Sequence, residues 1–439
     1  PRWGRGQETY GEDPYLTGRM AVAFITGMQG SDPHYLKTVA TAKHYAVHSG
    51  PESLRHEFDV RPGAEDLKGT YLPAFRASVV EGRASSVMCA YNAVDGVPAC
   101  ASHQLLQETL RQAWSFNGYV VSDCGAVGDI LRGHKYKPSM PAAAAAAVDA
   151  GTDLDCGTEY RALADAVKQG LIPESEIDRA VERLFVARIR LGMFDPPERV
   201  PFSAIPYSEV DSPAHRALAL EAARKSIVLL KNDSGTLPLG SSIRRIAVTG
   251  PAADDPDALL GNYNGTPSSI VTPLAGIEAE LGKQAEVRFS LGSAYTAQSN
   301  ALLPPDVVAP GLRAEYFDNP NLSGQPLVTR MEPRVYFDWD MRDPALARRI
   351  PRQAFSARWT GTIRVGHTGD YQLGVTRFRC EGCFGPDSAR LFLDDAPLVG
   401  EPEMRPRNPR TEQALAHLEA GRAYKVRLEY RQRGGGSGV

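Results

Sequence analysis

Apolar residues follow two alternating patterns over the first part of the chain. Three short runs rich in β-branched residues, at 38–45, 85–92 and 118–123, predict buried strands. Between the first two, residues 65–81 carry apolar side chains at helical spacing, and another helical pattern follows Ser102. Strands that alternate with helices in this way predict an α/β fold with a parallel sheet and right-handed crossovers.

The first predicted domain covers residues 1–195 and is a partial (β/α)8 barrel of the TIM type. A closed barrel takes ~250 residues, so we expect this one to lack its first strands. A fourth, shorter strand is predicted at 147–154, and an amphipathic helix at 173–193. The proline-rich residues 196–211 predict a linker.

Two further domains are predicted after the linker. Residues 212–308 open with Ser212-Pro213, an N-cap followed by proline at the first helical position, and continue with the patterns of an α/β sandwich. Residues 309–439 instead carry short β runs between Gly, Asp and Pro turns, which predict an all-β domain. Because the α/β unit has too few strands to stand alone, we expect the β domain to interrupt it.

Composition and charge exclude some classes of partner. The net charge of -3 argues against electrostatic binding of nucleic acid or of an anionic membrane, and no apolar run approaches the ~18 residues of a membrane span. Clustered His and carboxylate residues are missing, so we expect neither a metal nor a cofactor. The chain begins at Pro1 without a signal peptide and ends in a Gly-rich run, so we expect it to be a fragment.

The six cysteines leave their pairing open, because six allow fifteen combinations. Cys380 and Cys383 have the spacing of a redox or zinc motif, but neither a second Cys pair nor a His pair follows them. A loop staple or two unpaired thiols are therefore favoured over a metal site at this position.

Polar side chains follow the predicted strands at Lys43-His44, Tyr91 and Asp123, and Arg5 lies in a Gly-rich segment upstream. In parallel α/β folds the carboxyl ends of the strands carry the chemistry, so we expect these groups to converge on one pocket. The cationic groups would keep Asp123 anionic and would hydrogen-bond a polyhydroxylated ligand, which favours a sugar site. The alternatives are a helix N-cap for Asp123, a core position for Tyr91 and, for Arg5, a salt bridge to Glu8 or Glu12.

Five motifs resemble those of the family 3 glycoside hydrolases. They are RWGRGQETYGEDP at 2–14, AKHY at 42–45, MCAYN at 88–92, VSD at 121–123 and SIVLLKN at 226–232. The resemblance covers residues 1 to about 300 in order and spacing. It implies a TIM-type barrel followed by the start of an α/β sandwich.

The resemblance also implies retaining, exo-acting hydrolysis of terminal β-linked sugars, as β-xylosides or β-glucosides of plant-type oligosaccharides or as aryl glycosides. Asp123 would be the nucleophile that forms the glycosyl-enzyme. Lys43, His44 and Arg5 would bind hydroxyls of the nonreducing sugar, and Tyr91 would lie beside the nucleophile. Retention needs a second carboxyl group ~5–5.5 Å away as acid/base. No matching motif precedes residue 439, so we expect that Glu beyond the end of this chain.

The β domain resembles a protective-antigen-type domain at residues 311–317, 355–361, 369–371 and 387–394. In relatives of the family such a domain can overhang the pocket and limit substrate length. A purely structural role stays equally open, because a fold does not by itself specify a function.

The cysteines of the barrel resemble those of the β-xylosidase branch, in which Cys124 directly follows the nucleophile. This resemblance implies disulfides between Cys124 and Cys156 and between Cys89 and Cys100. Disulfides would favour an oxidising, extracytoplasmic compartment, although a reduced bacterial relative stays open. The alternative function is a non-catalytic carbohydrate-binding protein, which the missing acid/base would explain.

Overall fold

The computed structural model describes residues 6–48, 50–261, 269–293, 295, 303, 307–308, 310–335, 346, 349–351, 354–377, 387–400 and 410–432. Two compact units make up the chain, Pro1–Glu221 and Ala222–Val439. Of the helices in the described residues, none is long and apolar enough to cross a membrane.

The centre of the first unit is a parallel sheet that confirms the three predicted strands. The strands of this unit are β1 (Thr41–Tyr45), β2 (Asp59–Val60), β3 (Ser86–Cys89), β4 (Ala93–Val94), β5 (Val97–Pro98) and β6 (Tyr119–Ser122). β1, β3 and β6 lie side by side in that order. β2 pairs with β4 and β4 with β5, forming a second small sheet from the segments that follow β1 and β3.

Helices connect these strands as the apolar spacing predicts. They are α1 (Pro14–Gln29), α2 (Ala64–Asp66), α3 (Pro73–Val80), α4 (Ala126–Asp129), α5 (Met140–Ala150), α6 (Leu163–Lys168) and α7 (Glu174–Arg190), with π-helical turns at Leu67–Tyr71 and Gln104–Ala113. Asp13 caps α1 by accepting hydrogen bonds from the amides of Tyr15 and Leu16, and Pro14 occupies the first turn. The predicted helix at 65–81 is therefore confirmed as two α segments joined by a π turn.

The strand predicted at 147–154 is wrong for its first half. Residues 147–150 continue α5, because the alanine run favours helix, Ser139 caps its start and Gly151 ends it in a left-handed conformation. Only Leu154 adds to the sheet, through a parallel bridge to Val121. The apolar run therefore predicts that the segment is buried, and the capping residues Ser139 and Gly151 determine that it is a helix and not a strand.

The core of the first unit packs α3 and the second π turn against the parallel sheet. Val87 and Val120 lie on the central strands and are fully buried, as are Leu106 and Leu110 of the π turn. This packing leaves the carboxyl ends of β1, β3 and β6 next to one another.

The second unit begins with a short α/β segment. α8 (Pro213–Ser226) crosses the boundary between the units, and the parallel strands β7 (Arg245–Thr249) and β8 (Glu286–Ser290) pair beside α9 (Pro273–Leu281). The apolar run 227–230 forms no strand and is exposed.

The remainder of the second unit is the predicted all-β domain. Its strands are β9 (Leu312–Phe317), β10 (Val328–Glu332), β11 (Phe355–Ile363), β12 (Gly369–Arg377), β13 (Asp387–Leu393), β14 (Ala396–Val399), β15 (Arg410–Leu418) and β16 (Tyr424–Gln432). A six-stranded sheet has the order β10-β9-β11-β16-β13-β14, and β12 pairs with β15. Trp359, Tyr316 and Tyr430 are fully buried in its core. Short β runs in the sequence at 313–317, 355–365, 369–375, 390–393 and 423–430 predict five of these strands, and β10, β14 and β15 were not predicted.

Candidate active site

Asp123 directly follows β6, and its side chain is buried rather than used as a helix cap. The residue is 5% exposed, and its Oδ1 accepts a hydrogen bond from the backbone amide of Cys124 at 2.8 Å. The next helix, α4, has Gly125 as its N-cap, at a φ of 86°, without a capping side chain. The N-cap alternative for Asp123 is therefore wrong, and its carboxylate is held at the carboxyl end of the sheet.

His44 at the end of β1 reaches the same carboxylate. Its Nε2 lies 3.3 Å from Oδ2 of Asp123, and both side chains are buried. The Lys43–His44 and Tyr45–Ala46 peptide bonds are cis.

Lys43 lies beside a carboxylate that sequence reasoning did not select. Its Nζ is 2.9 Å from Oε2 of Glu8, whose side chain is buried, while Lys43 itself is partly exposed. Glu8 belongs to the same Gly-rich motif as Arg5. Membership in that motif is the sequence feature from which Glu8 could have been selected. Arg5 lies outside the described residues.

Tyr91 lies beside the loop that carries Asp123. Its hydroxyl donates to the backbone carbonyl of Cys124 at 3.0 Å, and its own carbonyl accepts a hydrogen bond from Nε2 of His134 at 2.8 Å. Its ring contacts those of His56 and His48, with centroids 4.6 and 6.0 Å away. The structure therefore places Asp123, His44 and Tyr91 near one another; Tyr91 is buried in the core of the unit and contacts the Asp123 loop through its hydroxyl.

A second His–Asp pair at this end of the sheet was not predicted. Nδ1 of His56 lies 2.7 Å from Oδ2 of Asp129, on α4. Burial raises the pKa of the Asp129 carboxyl, and the hydrogen bond and charge of His56 oppose that rise. The partners are 73 residues apart in the chain, so the sequence carries no local signal for the pair.

Both disulfides implied for the barrel are present. Cys124 and Cys156 have Cα atoms 4.4 Å apart, and Cys89 and Cys100 have Cα atoms 5.1 Å apart. The first bond ties the Asp123 loop to the segment after Leu154 and is supported by a hydrogen bond from the Gly125 amide to the Cys156 carbonyl. Cys380 and Cys383 lie outside the described residues.

Four further carboxylates are exposed and less well placed for chemistry. Glu57 is exposed on the segment between β1 and β2, and Glu278, Glu280 and Glu286 are exposed on α9 and β8. Within the described part of the chain, no group of three or more His, Cys, Asp or Glu residues could hold a metal ion. The arrangement at Asp123 can instead present one buried carboxylate, an imidazole, an ammonium group and a phenol to a polar ligand.

Two regions of the chain match known domains. Residues 1–187 match the glycosyl hydrolase family 3 N-terminal domain, and residues 308–439 match the PA14 domain. Both matches confirm the resemblances stated from the sequence, including the protective-antigen-like character of the β domain.

Curated relatives and solved structures agree with these matches. The chain is 41% identical over 385 residues to a xylan 1,4-beta-xylosidase of Xylanibacter ruminicola, covering 85% of this chain and 44% of the relative. It is also 44% identical over 292 residues to the probable beta-D-xylosidase 7 of Arabidopsis thaliana, covering 64% of this chain and 38% of that relative. The chain thus spans less than half the length of these relatives.

A solved structure supports the fold class. The fold resembles that of a GH3 exo-beta-xylosidase in complex with a xylobiose aziridine activity based probe, with a TM-score of 0.64, 24% identity, and coverage of 98% of this chain and 72% of that one. Solved relatives of this kind have a TIM-barrel-like N-terminal domain, which confirms the predicted barrel class.

Proposed function

Because the chain carries the N-terminal domain of glycosyl hydrolase family 3 together with a PA14 domain, we propose that it is part of a retaining, exo-acting β-glycosidase. Its substrates are terminal nonreducing β-xylosides or β-glucosides of plant-type oligosaccharides. The observation that carries this proposal is the buried Asp123 carboxylate at the carboxyl end of β6, with His44 3.3 Å away.

In this proposal Asp123 attacks the anomeric carbon and forms a covalent glycosyl-enzyme. Its carboxylate is held by the Cys124 amide at Oδ1 and lies next to His44 at Oδ2. That amide fixes the orientation of the carboxylate, so little rotational freedom is lost on reaction. His44, Lys43 and Arg5 bind the hydroxyls of the sugar. A second carboxyl group protonates the leaving oxygen and then activates water for the second displacement.

Xylose is favoured over glucose by the cysteine pattern. The disulfide that begins at Cys124 adjoins the proposed nucleophile, as in the β-xylosidase branch that this chain resembles. Two disulfides in the described residues also favour an oxidising, extracytoplasmic compartment for the protein.

The test is turnover of paired aryl β-xyloside and β-glucoside by the complete protein and by its Asp123→Ala variant. We expect Asp123→Ala to lower kcat by roughly four orders of magnitude, since no other group in the site forms the covalent intermediate. Asp149→Ala is the matched control, because Asp149 is an exposed carboxylate paired with His103. A 2-deoxy-2-fluoro glycoside should leave one sugar mass on the peptide that contains Asp123.

Two outcomes would overturn the proposal in different ways. An Asp123→Ala variant that keeps most of its turnover would remove Asp123 from the chemistry. A wild-type protein that binds xylobiose but hydrolyses neither aryl glycoside would favour the alternative, a carbohydrate-binding protein without catalysis.

A further inference from the structure

The His56–Asp129 pair belongs to none of the roles assigned above, yet it lies among the segments that follow the three central strands. His56 follows β1, Tyr91 follows β3, and Asp129 follows β6. Because these strands are neighbours in the parallel sheet, contacts among the three segments connect adjacent loops at the end that carries Asp123.

A continuous series of contacts through Tyr91 connects these three segments. Nδ1 of His56 donates to Asp129, and the His56 ring meets the Tyr91 ring in an edge-on arrangement with centroids 4.6 Å apart. The Tyr91 hydroxyl donates to the backbone carbonyl of Cys124. The backbone amide of Cys124 in turn donates to the side chain of Asp123. Asp129 lies on the helix that follows Cys124, which closes the path.

Further contacts fix the two ends of this path. The backbone carbonyl of His56 lies so close to Gly133 that a Cβ there would be 1.9 Å from it, so that position needs glycine. His134 donates to the Tyr91 carbonyl. β2 and β4 pair directly beyond His56 and Tyr91, which holds the two loops in register. The pair is therefore set in a rigid frame.

We propose that His56 and Asp129 are positioning residues for the nucleophile: Asp129 orients His56, His56 holds the ring of Tyr91, and Tyr91 holds the Cys124 carbonyl in the loop that carries Asp123. The inference rests on the proposed glycosidase function and adds to it the residues that set the attack geometry. Because a misplacement of about 1 Å at a reacting centre can cost roughly a hundredfold in rate, loosening this path should lower kcat.

The test compares His56→Ala, Asp129→Ala, Asp129→Asn and Tyr91→Phe in the complete protein, with kcat and KM measured separately on an aryl β-xyloside. We expect His56→Ala and Asp129→Ala to lower kcat about tenfold with KM within about twofold, because the sugar contacts remain while the attack geometry loosens. Asp129→Asn should restore most of kcat, since the amide oxygen still accepts from Nδ1 of His56.

A double-mutant cycle tests whether His56 acts through Tyr91. Tyr91→Phe keeps the ring and removes the hydroxyl bond to Cys124, so His56→Ala should add less than about twofold in that background. His103→Ala is the matched control: His103 pairs with Asp149 at 2.8 Å, and its side chain is 56% exposed against 55% for His56. It should leave kcat unchanged, and unfolding midpoints should separate loss of fold from loss of positioning.

The outcomes distinguish the positioning role of His56 and Asp129 from the glycosidase function on which it rests. An unchanged kcat in His56→Ala, or a loss that multiplies fully with Tyr91→Phe, would overturn the positioning role while leaving the glycosidase proposal intact. A fall in kcat that Asp129→Asn does not restore would remove Asp129 from the path. Absence of turnover in the wild-type protein would overturn both proposals.

Discussion

The two ends of strand β6 each hold a buried carboxylate, but the partners of the two differ. At the carboxyl end, Asp123 is 5% exposed and lies next to His44 and the Cys124 amide. At the amino end, Asp153 is 4% exposed and lies 2.7 and 2.8 Å from the guanidinium groups of Arg111 and Arg183. Burial is the same at both ends, so burial alone does not identify the reactive group.

The kind of neighbouring group differs between the two carboxylates. Asp153 also accepts the Val120 amide, and Arg111 donates to the carbonyls of Gly118 and Gly151. Two guanidinium groups and a backbone amide thus surround the Asp153 carboxylate, whereas the Asp123 carboxylate lies beside an imidazole and the Cys124 amide. A buried carboxylate held by guanidinium groups stabilises the fold, and this difference in neighbours is the reason that the proposed chemistry is assigned to Asp123 and not to Asp153.

Removing the carboxylate at the amino end should affect stability far more than catalysis. Asp153→Ala leaves Arg111, whose side chain is 9% exposed, as a buried unpaired charge, which costs about 3–5 kcal/mol. We expect the unfolding midpoint of the first unit to fall by roughly 10 °C, while kcat at low temperature stays close to wild type. Calorimetry and kinetics on the same samples measure both effects.

Asp153→Asn is the control, because the amide oxygen keeps one acceptor for Arg111, and it should lose less stability. If Asp153→Ala abolished turnover in a folded protein, both ends of β6 would serve the chemistry and the distinction between them would fail.

Removing each of the two disulfides should also have different effects on stability and on kcat, and these effects should be smaller than that of Asp153→Ala. Cys124–Cys156 closes a separation of 32 residues and Cys89–Cys100 one of 11, so loop entropy gives about 3–4 kcal/mol for the first and slightly less for the second. Replacing Cys124 and Cys156 together by Ala should also lower kcat, since Cys124 contacts Asp123 and Tyr91 through its backbone. Replacing Cys89 and Cys100 should lower the unfolding midpoint with a smaller change in kcat. Equal kcat values in the two double variants would contradict a catalytic role for the first bond.

Local patterns in the sequence were sufficient for the sheet and for the residues at its carboxyl end. The strands around Val87 and Val120 were predictable because β-branched runs are buried on both faces. His44, Tyr91 and Asp123 were predictable because parallel strands end at one edge of the sheet. Arg5 stays a prediction, and so do the roles assigned to the site residues and the domain boundaries.

The contacts that tune the site were not predictable from one sequence. His56 and Asp129 are 73 residues apart, and Arg111 and Asp153 are 42 apart. Pairs at such separations carry no periodic or capping signal, because tertiary folding alone brings them together. The failed strand at 147–154 has a different cause: a buried alanine run fits a helix or a strand, and Ser139 and Gly151 decided between them.

The smallest expected effect concerns Glu8, which lies at the Asp123 end of the sheet but outside the proposed bond-making step. Glu8→Gln keeps an acceptor 2.9 Å from Nζ of Lys43 and removes the charge. Because Lys43 is partly exposed, solvent screens the pair, and the loss should be about 1 kcal/mol in substrate binding. We therefore expect KM to rise roughly five- to tenfold with kcat little changed, as measured on an aryl β-xyloside. The reverse result, a fall in kcat at constant KM, would instead place the Lys43–Glu8 pair at the transition state, and the carboxyl end of the sheet would then hold a second charged group that acts directly on the chemistry.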